Sequence, residues 1–231
     1  MNNFIVASSK EWHRGAFEYF RQHESGNWFY VETRDELEKL VAIVVPRYIF
    51  FLHWNWVVPS NIWSMHECVC FHMTDVPYGR GGSPLQNLIL AGNTETKVSA
   101  IRMVDEMDAG PVYVKRAMSL QGRAEEIYLR AGDICWEIIR WIIKKEPVVT
   151  PQQGEVTKFI RRKPEQSKLP TKCNLDELYN YIRMLDAPTY PLAFVDYGDF
   201  RIEFTDAELG SDELRAHVVI RKRSEDNLHG E

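Results

Sequence analysis

Five consecutive apolar residues, Tyr48-Ile49-Phe50-Phe51-Leu52, constrain the fold more than any other stretch of this chain. Successive side chains of a strand point to opposite faces, so a run without polar alternation must be covered on both sides. That is the position of a central strand in a parallel sheet flanked by helices. The neighbouring pattern agrees. Residues 4–7, 28–31, 68–71 and 98–103 read as further strands. Amphipathic stretches at 12–23, 34–43 and 83–91 read as helices, and Pro59 opens a short one. This βαβα order predicts an α/β fold, a doubly wound and mostly parallel sheet. Such sheets hold ligands beyond the carboxyl ends of their strands, which points to the loops after Leu52, Phe71 and Met103.

The rest of the chain is less uniform. Residues 124–145 form the longest predicted helix, rich in Ile and Trp and closed by Lys144, Lys145 and Pro147. Its apolar content exceeds one core-facing stripe, which suits burial against the sheet or a homodimer contact. After Pro151 the composition turns polar and basic, so residues 1–150 are expected to form the catalytic core. Residues 151–231 are then a crossing segment with a small C-terminal helix and hairpin. The helix is expected at 175–185, and the hairpin strands at 193–196 and 200–204, turned at Tyr197-Gly198-Asp199. The last residues, 224–231, are expected to fray.

Several functions are disfavoured by composition. With a net charge of −5 the chain has no overall bias toward nucleic acid or an anionic membrane. The N-terminus lacks the basic start and apolar stretch of a signal peptide, and no apolar run approaches the roughly 18 residues of a membrane span. The cysteines (Cys68, Cys70, Cys135, Cys173) are too irregular for a disulfide framework, so reduced thiols in a cytoplasmic protein are expected. No Gly-x-Gly-x-x-Gly follows the first strand, where the residues are Ser8-Ser9-Lys10-Glu11-Trp12-His13-Arg14-Gly15. A nicotinamide or flavin cofactor is therefore not expected.

Chemistry is concentrated between Cys70 and Tyr113. His72 ends a predicted strand and leads into Pro77-Tyr78-Gly79-Arg80-Gly81-Gly82-Ser83-Pro84, a loop whose glycines let backbone amides approach a ligand closely. After the next strand come Asp105, Glu106 and Asp108, then Ala109-Gly110. A carboxylate near a histidine fixes its tautomer and stabilises its charged form. A rival use is metal binding, because His66, Cys68, Cys70 and His72 alternate and would share one strand face. Four such residues span roughly 20 Å, too far for one ion, so no metal is expected.

Residues 70–81, Cys-Phe-His-Met-Thr-Asp-Val-Pro-Tyr-Gly-Arg-Gly, resemble the Asn-x-His-x-Ser-Leu-Leu-Pro-x-Tyr-Arg-Gly hallmark of the formyltransferases that use N10-formyltetrahydrofolate. Asp108-Ala109-Gly110 resembles the family's later Asp-x-Gly, at close to the family's separation. Thr94-Glu95-Thr96-Lys97-Val98 is similar to its Glu-Thr-Gly-Val. Phe159-Ile160-Arg161-Arg162-Lys163-Pro164-Glu165-Gln166-Ser167 and Tyr190-Pro191-Leu192-Ala193-Phe194 resemble elements of the sugar N-formyltransferases.

The resemblance implies a Rossmann-like formyltransferase core with His72 and Asp108 catalytic. It implies that N10-formyltetrahydrofolate is the co-substrate, held by Trp54, Asn55, Trp56 and Val57 on one side. Val104, Asp105 and Met107 would hold it on the other, with Arg80 nearby. Gly81, Gly82, Arg161 and Arg162 would then meet the acceptor, expected to be a nucleotide-linked amino sugar. Too little chain follows the core for the full C-terminal domain of the methionyl-tRNA enzyme, which with the acidic charge argues against tRNA. One position departs from the pattern, since the family's asparagine, which helps hold the formyl oxygen, is Cys70 here. A thiol is a far weaker donor. Either another donor such as Asn55 takes its place, or the oxyanion rests on His72 and backbone amides. The alternatives are a folate- or nucleotide-binding relative without turnover, or formylation of another primary amine such as methionyl-tRNA.

Overall fold

The apolar run sits in the middle of a sheet. In the computed structural model, which describes residues 1–188 and 190–223, the chain forms β1 (Asn3–Ala7), α1 (Trp12–His23), β2 (Asn27–Val31), α2 (Arg34–Val41), β3 (Tyr48–Phe51), α3 (Ser60–Trp63), β4 (Cys68–His72), β5 (Arg80–Gly81) and α4 (Pro84–Leu90). There follow β6 (Glu95–Arg102), β7 (Val112–Ser119), α5 (Ala124–Lys145), β8 (Lys158–Phe159), α6 (Leu175–Arg183), β9 (Ala193–Tyr197), β10 (Phe200–Leu209) and β11 (Leu214–Lys222). The fraying expected at 224–231 lies outside the described residues.

The main sheet has the order β2-β1-β3-β4-β6-β7. Strand β3 pairs in parallel with β1 and with β4, and every one of its residues is buried. This is the α/β fold that the sequence predicts. One strand runs the other way. Strand β6 is antiparallel to β4, with His72 opposite Ser99 and Val69 opposite Arg102. The carboxyl end of β6 therefore lies beside the amino end of β4, where the Met103 amide donates to the Cys68 carbonyl. The segment 103–110 has to fold back along the sheet to reach His72.

Four strands of the described residues were not expected: the two-residue pair β5 and β8, too short to leave a pattern, and the longer β7 and β11. The edge strand β7 mixes Lys115 and Arg116 with its apolar residues and buries only part of its length, so no clean two-residue period marks it. Strand β11 is exposed along most of its length and has no periodicity to read.

The helices follow their apolar stripes. Helix α1 buries His13, Phe17 and Phe20, and Phe20 packs its ring on Trp28 and Trp136. Helix α2 starts at a Thr33/Glu36 capping box, worth about 1 kcal/mol. In α5, Ala131, Cys135, Ile138, Ile139 and Ile142 are buried within this chain, the first of the two uses expected for its apolar face. Gly132 of α5 is required by contact, because a Cβ there would come within 3.0 Å of the His13 ring.

His13 Nε2 lies 2.9 Å from His53 Nδ1 with the rings stacked, so one nitrogen donates and the other accepts. Burial, and then the neighbouring ring, push His13 down to about 3, while burial, and then Lys10, push His53 down to about 4. Both rings stay neutral in the folded protein, whereas unfolded imidazoles take up protons near pH 6.5. The unfolded state then binds more protons below that pH, and stability falls as pH drops. Melting temperature is expected to decline from pH 6.5 to 5, and about half as steeply in His13→Gln. Equal slopes in a thermal melt series would contradict this.

Contacts divide the chain into two units. The first comprises Met1–Pro84, Glu95–Met118 and Leu129–Phe159, so the dividing line is not a single point in the sequence. The second gathers Leu85–Thr94, Ser119–Tyr128 and the chain from Ile160 onward. It contains the sheet β11-β10-β9, with α6 packed on β10. Within it the buried Arg183 donates to the carbonyls of Leu120 (2.6 Å) and Gly122 (2.8 Å). No helix of the described residues is long and apolar enough to cross a membrane.

Candidate active site

His72 is the last residue of β4 and is buried. Its Nε2 lies 2.8 Å from the Gly79 carbonyl oxygen. A carbonyl only accepts, so the ring proton belongs on Nε2. That leaves Nδ1 to face the Asp108 carboxylate, 3.6 Å from its Oδ2. The support continues outward, as Ser99 Oγ donates to the Thr74 carbonyl at 2.6 Å and fixes the start of the loop that carries Gly79.

Asp108 reaches this position through a backbone that most residues avoid. Its φ is +55°, in the left-handed region, which costs roughly 1 kcal/mol for a residue with a Cβ, although aspartate tolerates it better than most. Three contacts hold it there. The Gly81 amide donates to Asp108 Oδ2 at 2.9 Å. Gln152 Nε2 donates to the carbonyls of Asp108 (2.7 Å) and Gly110 (2.8 Å). Gly110 is dictated by space, since a Cβ there would lie 1.8 Å from the Arg102 carbonyl oxygen. The aspartate and glycine of Asp108-Ala109-Gly110 thus have separate reasons, one chemical and one steric.

The glycine loop does something other than what its composition suggests. The Gly79 amide donates to Thr157 Oγ1 at 2.7 Å, and those of Arg80 and Gly82 to the Thr157 and Phe159 carbonyls. The amides expected to meet a ligand are spent on the segment 157–159 and on Asp108. The φ values of Gly79 (+71°) and Gly81 (+108°) and the closeness of Phe159 explain these two glycines, because a Cβ on either would collide with it. Arg80 is likewise engaged. Its Nε (3.1 Å) and Nη2 (2.8 Å) donate to Gln152 Oε1, and Nη1 lies 3.6 Å from Glu106.

Cys70 shares the strand face of His72, but its Sγ points at the Ile101 carbonyl oxygen, 3.6 Å away. Burial pushes the thiol well up, and the Asp108 carboxylate adds to this. Its proton is thus assigned to a strand carbonyl and not to the formyl oxygen. Cys68, pushed up to about 12, and Cys135 are also raised by burial, whereas Cys173 is exposed. Iodoacetamide at pH 8 is expected to modify Cys173 alone on the minutes timescale. Alkylation of Cys70 at a similar rate by mass spectrometry would contradict this.

The loop after β3 carries the other expected wall. Trp54 is half-buried and packs edge-on against Phe51 and Trp56. Asn55, Trp56 and Val57 are exposed, and no hydrogen bond joins Asn55 to Cys70, His72 or Asp108 among the described residues. Across the sheet Val104, Asp105 and Met107 are exposed as well. Trp54, Cys70 and Met103 all pack on the same core cluster. Arg161 and Arg162 fall in the second unit, where Arg161 is exposed and Arg162 donates to the Gln166 carbonyl. Among the described residues no group of three His, Cys, Asp or Glu is placed to hold a metal ion.

Gln152 and Thr157 went unnoticed in the sequence. They lie in a polar stretch where nothing separates Gln152 from Gln153; only the fold shows which one meets Asp108.

Residues 164–221 match a family model described as the C-terminal domain of methionyl-tRNA formyltransferase. The stretch expected to be a small extension is therefore recognisable as sequence of that kind. The methionyl-tRNA formyltransferase of Bacillus thuringiensis (strain Al Hakam) is 26% identical over 174 residues, 71% of this chain and 54% of that protein. The chain thus spans about half the length of the curated relatives it matches. A solved structure, a methionyl-tRNA formyltransferase from Clostridium thermocellum, matches with a TM-score of 0.94 at 42% identity, over 96% of this chain and 100% of that one. A sugar N-formyltransferase from Shewanella sp FDAARGOS_354 matches with a TM-score of 0.71 at 12% identity, over 91% of this chain and 100% of its own.

Proposed function

Because the chain belongs to the formyltransferase family, we propose that it moves a formyl group from N10-formyltetrahydrofolate to the amine of a nucleotide-linked amino sugar. The observation that carries this is the buried His72, anchored through Nε2 to Gly79 and facing Asp108 with Nδ1. The acceptor's neutral amine attacks the formyl carbon, and the carbonyl electrons move onto oxygen. His72, protonated at Nδ1, donates to that oxyanion. Such a donor, fixed before the reaction, is worth roughly 3 kcal/mol. The attacking nitrogen loses its proton to Asp108, whose Oδ2 is already fixed by Gly81. The proton passes to N10 of the folate as the bond from the formyl carbon to N10 breaks. No covalent enzyme intermediate is needed.

In this reading the donor's pterin rests against Trp54, Asn55, Trp56 and Val57 on one side and Val104, Asp105 and Met107 on the other, a reading supported by the exposed apolar side chains of Trp56, Val57, Val104 and Met107. For the acceptor, charge is the guide. Binding a tRNA means neutralising several phosphates, yet between Ile160 and Arg223 acidic and basic residues are equal in number. This favours a small acceptor. Methionyl-tRNA is the second reading, favoured by the name of the 42%-identical relative.

Supplying the purified protein with N10-formyltetrahydrofolate and either a panel of nucleotide-linked amino sugars or charged methionyl-tRNA separates the two. A gain of one formyl group on a sugar amine, read by mass, is expected. Formylation confined to methionyl-tRNA would replace the sugar, and none on any amine would overturn the transferase reading.

A further inference from the structure

Gln152 lies where a side chain decides whether Asp108 can face His72. Its amide is used at both ends. Oε1 accepts from Arg80 Nε and Nη2, so Nε2 must be the end that points at the Asp108 and Gly110 carbonyls. One planar group therefore fixes the backbone on both sides of Ala109. Asp108 itself sits at φ +55°, a conformation that persists only where surrounding structure over-determines it. Of the contacts that hold it, the Gly81 amide acts on the carboxylate, and only Gln152 holds the Asp108 backbone by hydrogen bonds among the described residues.

Arg80 completes the chain of support. It is held on the glycine loop, where β5 pairs in parallel with β8, and its side chain is only 11% exposed. The loop that carries Gly79, which orients His72 Nε2, also carries Arg80, which orients Gln152, which orients Asp108. Both members of the pair are referred to one frame.

We propose that Gln152, aligned by Arg80, is the positioning residue that sets the Asp108 carboxylate against His72 Nδ1. The inference rests on the formyl-transfer reading for its consequence, but its geometry can be tested without turnover. Gln152→Met keeps the length of the side chain and removes its donor and its acceptor. Histidine 15N resonances are compared in the parent protein, Asp108→Asn and Gln152→Met, with His72 assigned by a His72→Gln variant.

In Gln152→Met the His72 Nδ1 resonance is expected to move in the same direction as in Asp108→Asn and at least half as far. Nε2, tied to Gly79, should stay in place. A loss of packing alone would lower the melting temperature and leave Nδ1 where it was, and that result overturns the proposal. So does an Nδ1 that ignores Asp108→Asn, since there would then be no pairing to position. A protein that keeps the Nδ1 response yet formylates no amine would defeat the proposed reaction and leave this inference standing. If transfer is observed, Gln152→Met is expected to lower kcat about 10- to 100-fold with the KM for the folate changed less than threefold.

Discussion

Replacing His72 with alanine is expected to lower kcat/KM for formyl transfer about 10³-fold, at the upper end of what loss of one oxyanion donor costs. The upper end applies because, among the described residues, the motif's other donors are already engaged. Cys70, in place of the family's asparagine, gives its proton to the Ile101 carbonyl. The amides of Gly79, Arg80, Gly81 and Gly82 are bonded to Thr157, Phe159 and Asp108. The effect should fall on kcat, because the charge that His72 meets develops only in the transition state. His72→Gln, which retains a donor but cannot carry a positive charge, should recover part of the loss. A fall of less than tenfold in His72→Ala would mean that another donor holds the oxyanion.

The second large effect comes from a single methyl group. In Gly110→Ala the new Cβ would lie 1.8 Å from the Arg102 carbonyl oxygen, a backbone atom that cannot swing aside. Either the end of β6 or the segment 103–110 must move. Overpacking of this kind costs about 1–3 kcal/mol, or roughly 2–12 °C of melting temperature for a chain of this size. Asp108 is two residues away and its backbone shares the Gln152 contact with Gly110, so activity should fall further than stability. A loss of about 100-fold in kcat is expected in protein that is still folded at 25 °C. Calorimetry and steady-state rates check both numbers, and a variant with parental melting and rate would contradict the close contact.

Much of this was legible in the chain. The unbroken apolar run placed β3 at the centre of the sheet, because only two-sided burial tolerates five such residues together. The two ends of the His72–Asp108 pair were visible as motifs, and their contact is what the fold adds. The antiparallel course of β6 was not visible, since strand direction leaves no mark on an apolar pattern. It changes the location of Asp108 from a loop at a strand's carboxyl end to one folded back across the sheet.

The glycine loop shows a different limit. Its composition signals close approach by a backbone, which is correct, but does not say whose. Here the structure shows Phe159 packed against Gly79 and Gly81. Hydrophobic periodicity, likewise, can locate only elements that bury a face. It finds α5 to the residue and passes over β11, which buries almost nothing.

The most direct test follows the formyl carbon itself. Donor folate labelled with 13C at the formyl group is mixed with the protein and an amino-sugar nucleotide, and the label is followed by NMR. The proposed function predicts that the formyl resonance of N10-formyltetrahydrofolate disappears as that of a sugar N-formamide grows in equal amount, and that His72→Ala slows this transfer about 10³-fold. Label that stays on the folate, or appears as free formate, would contradict it.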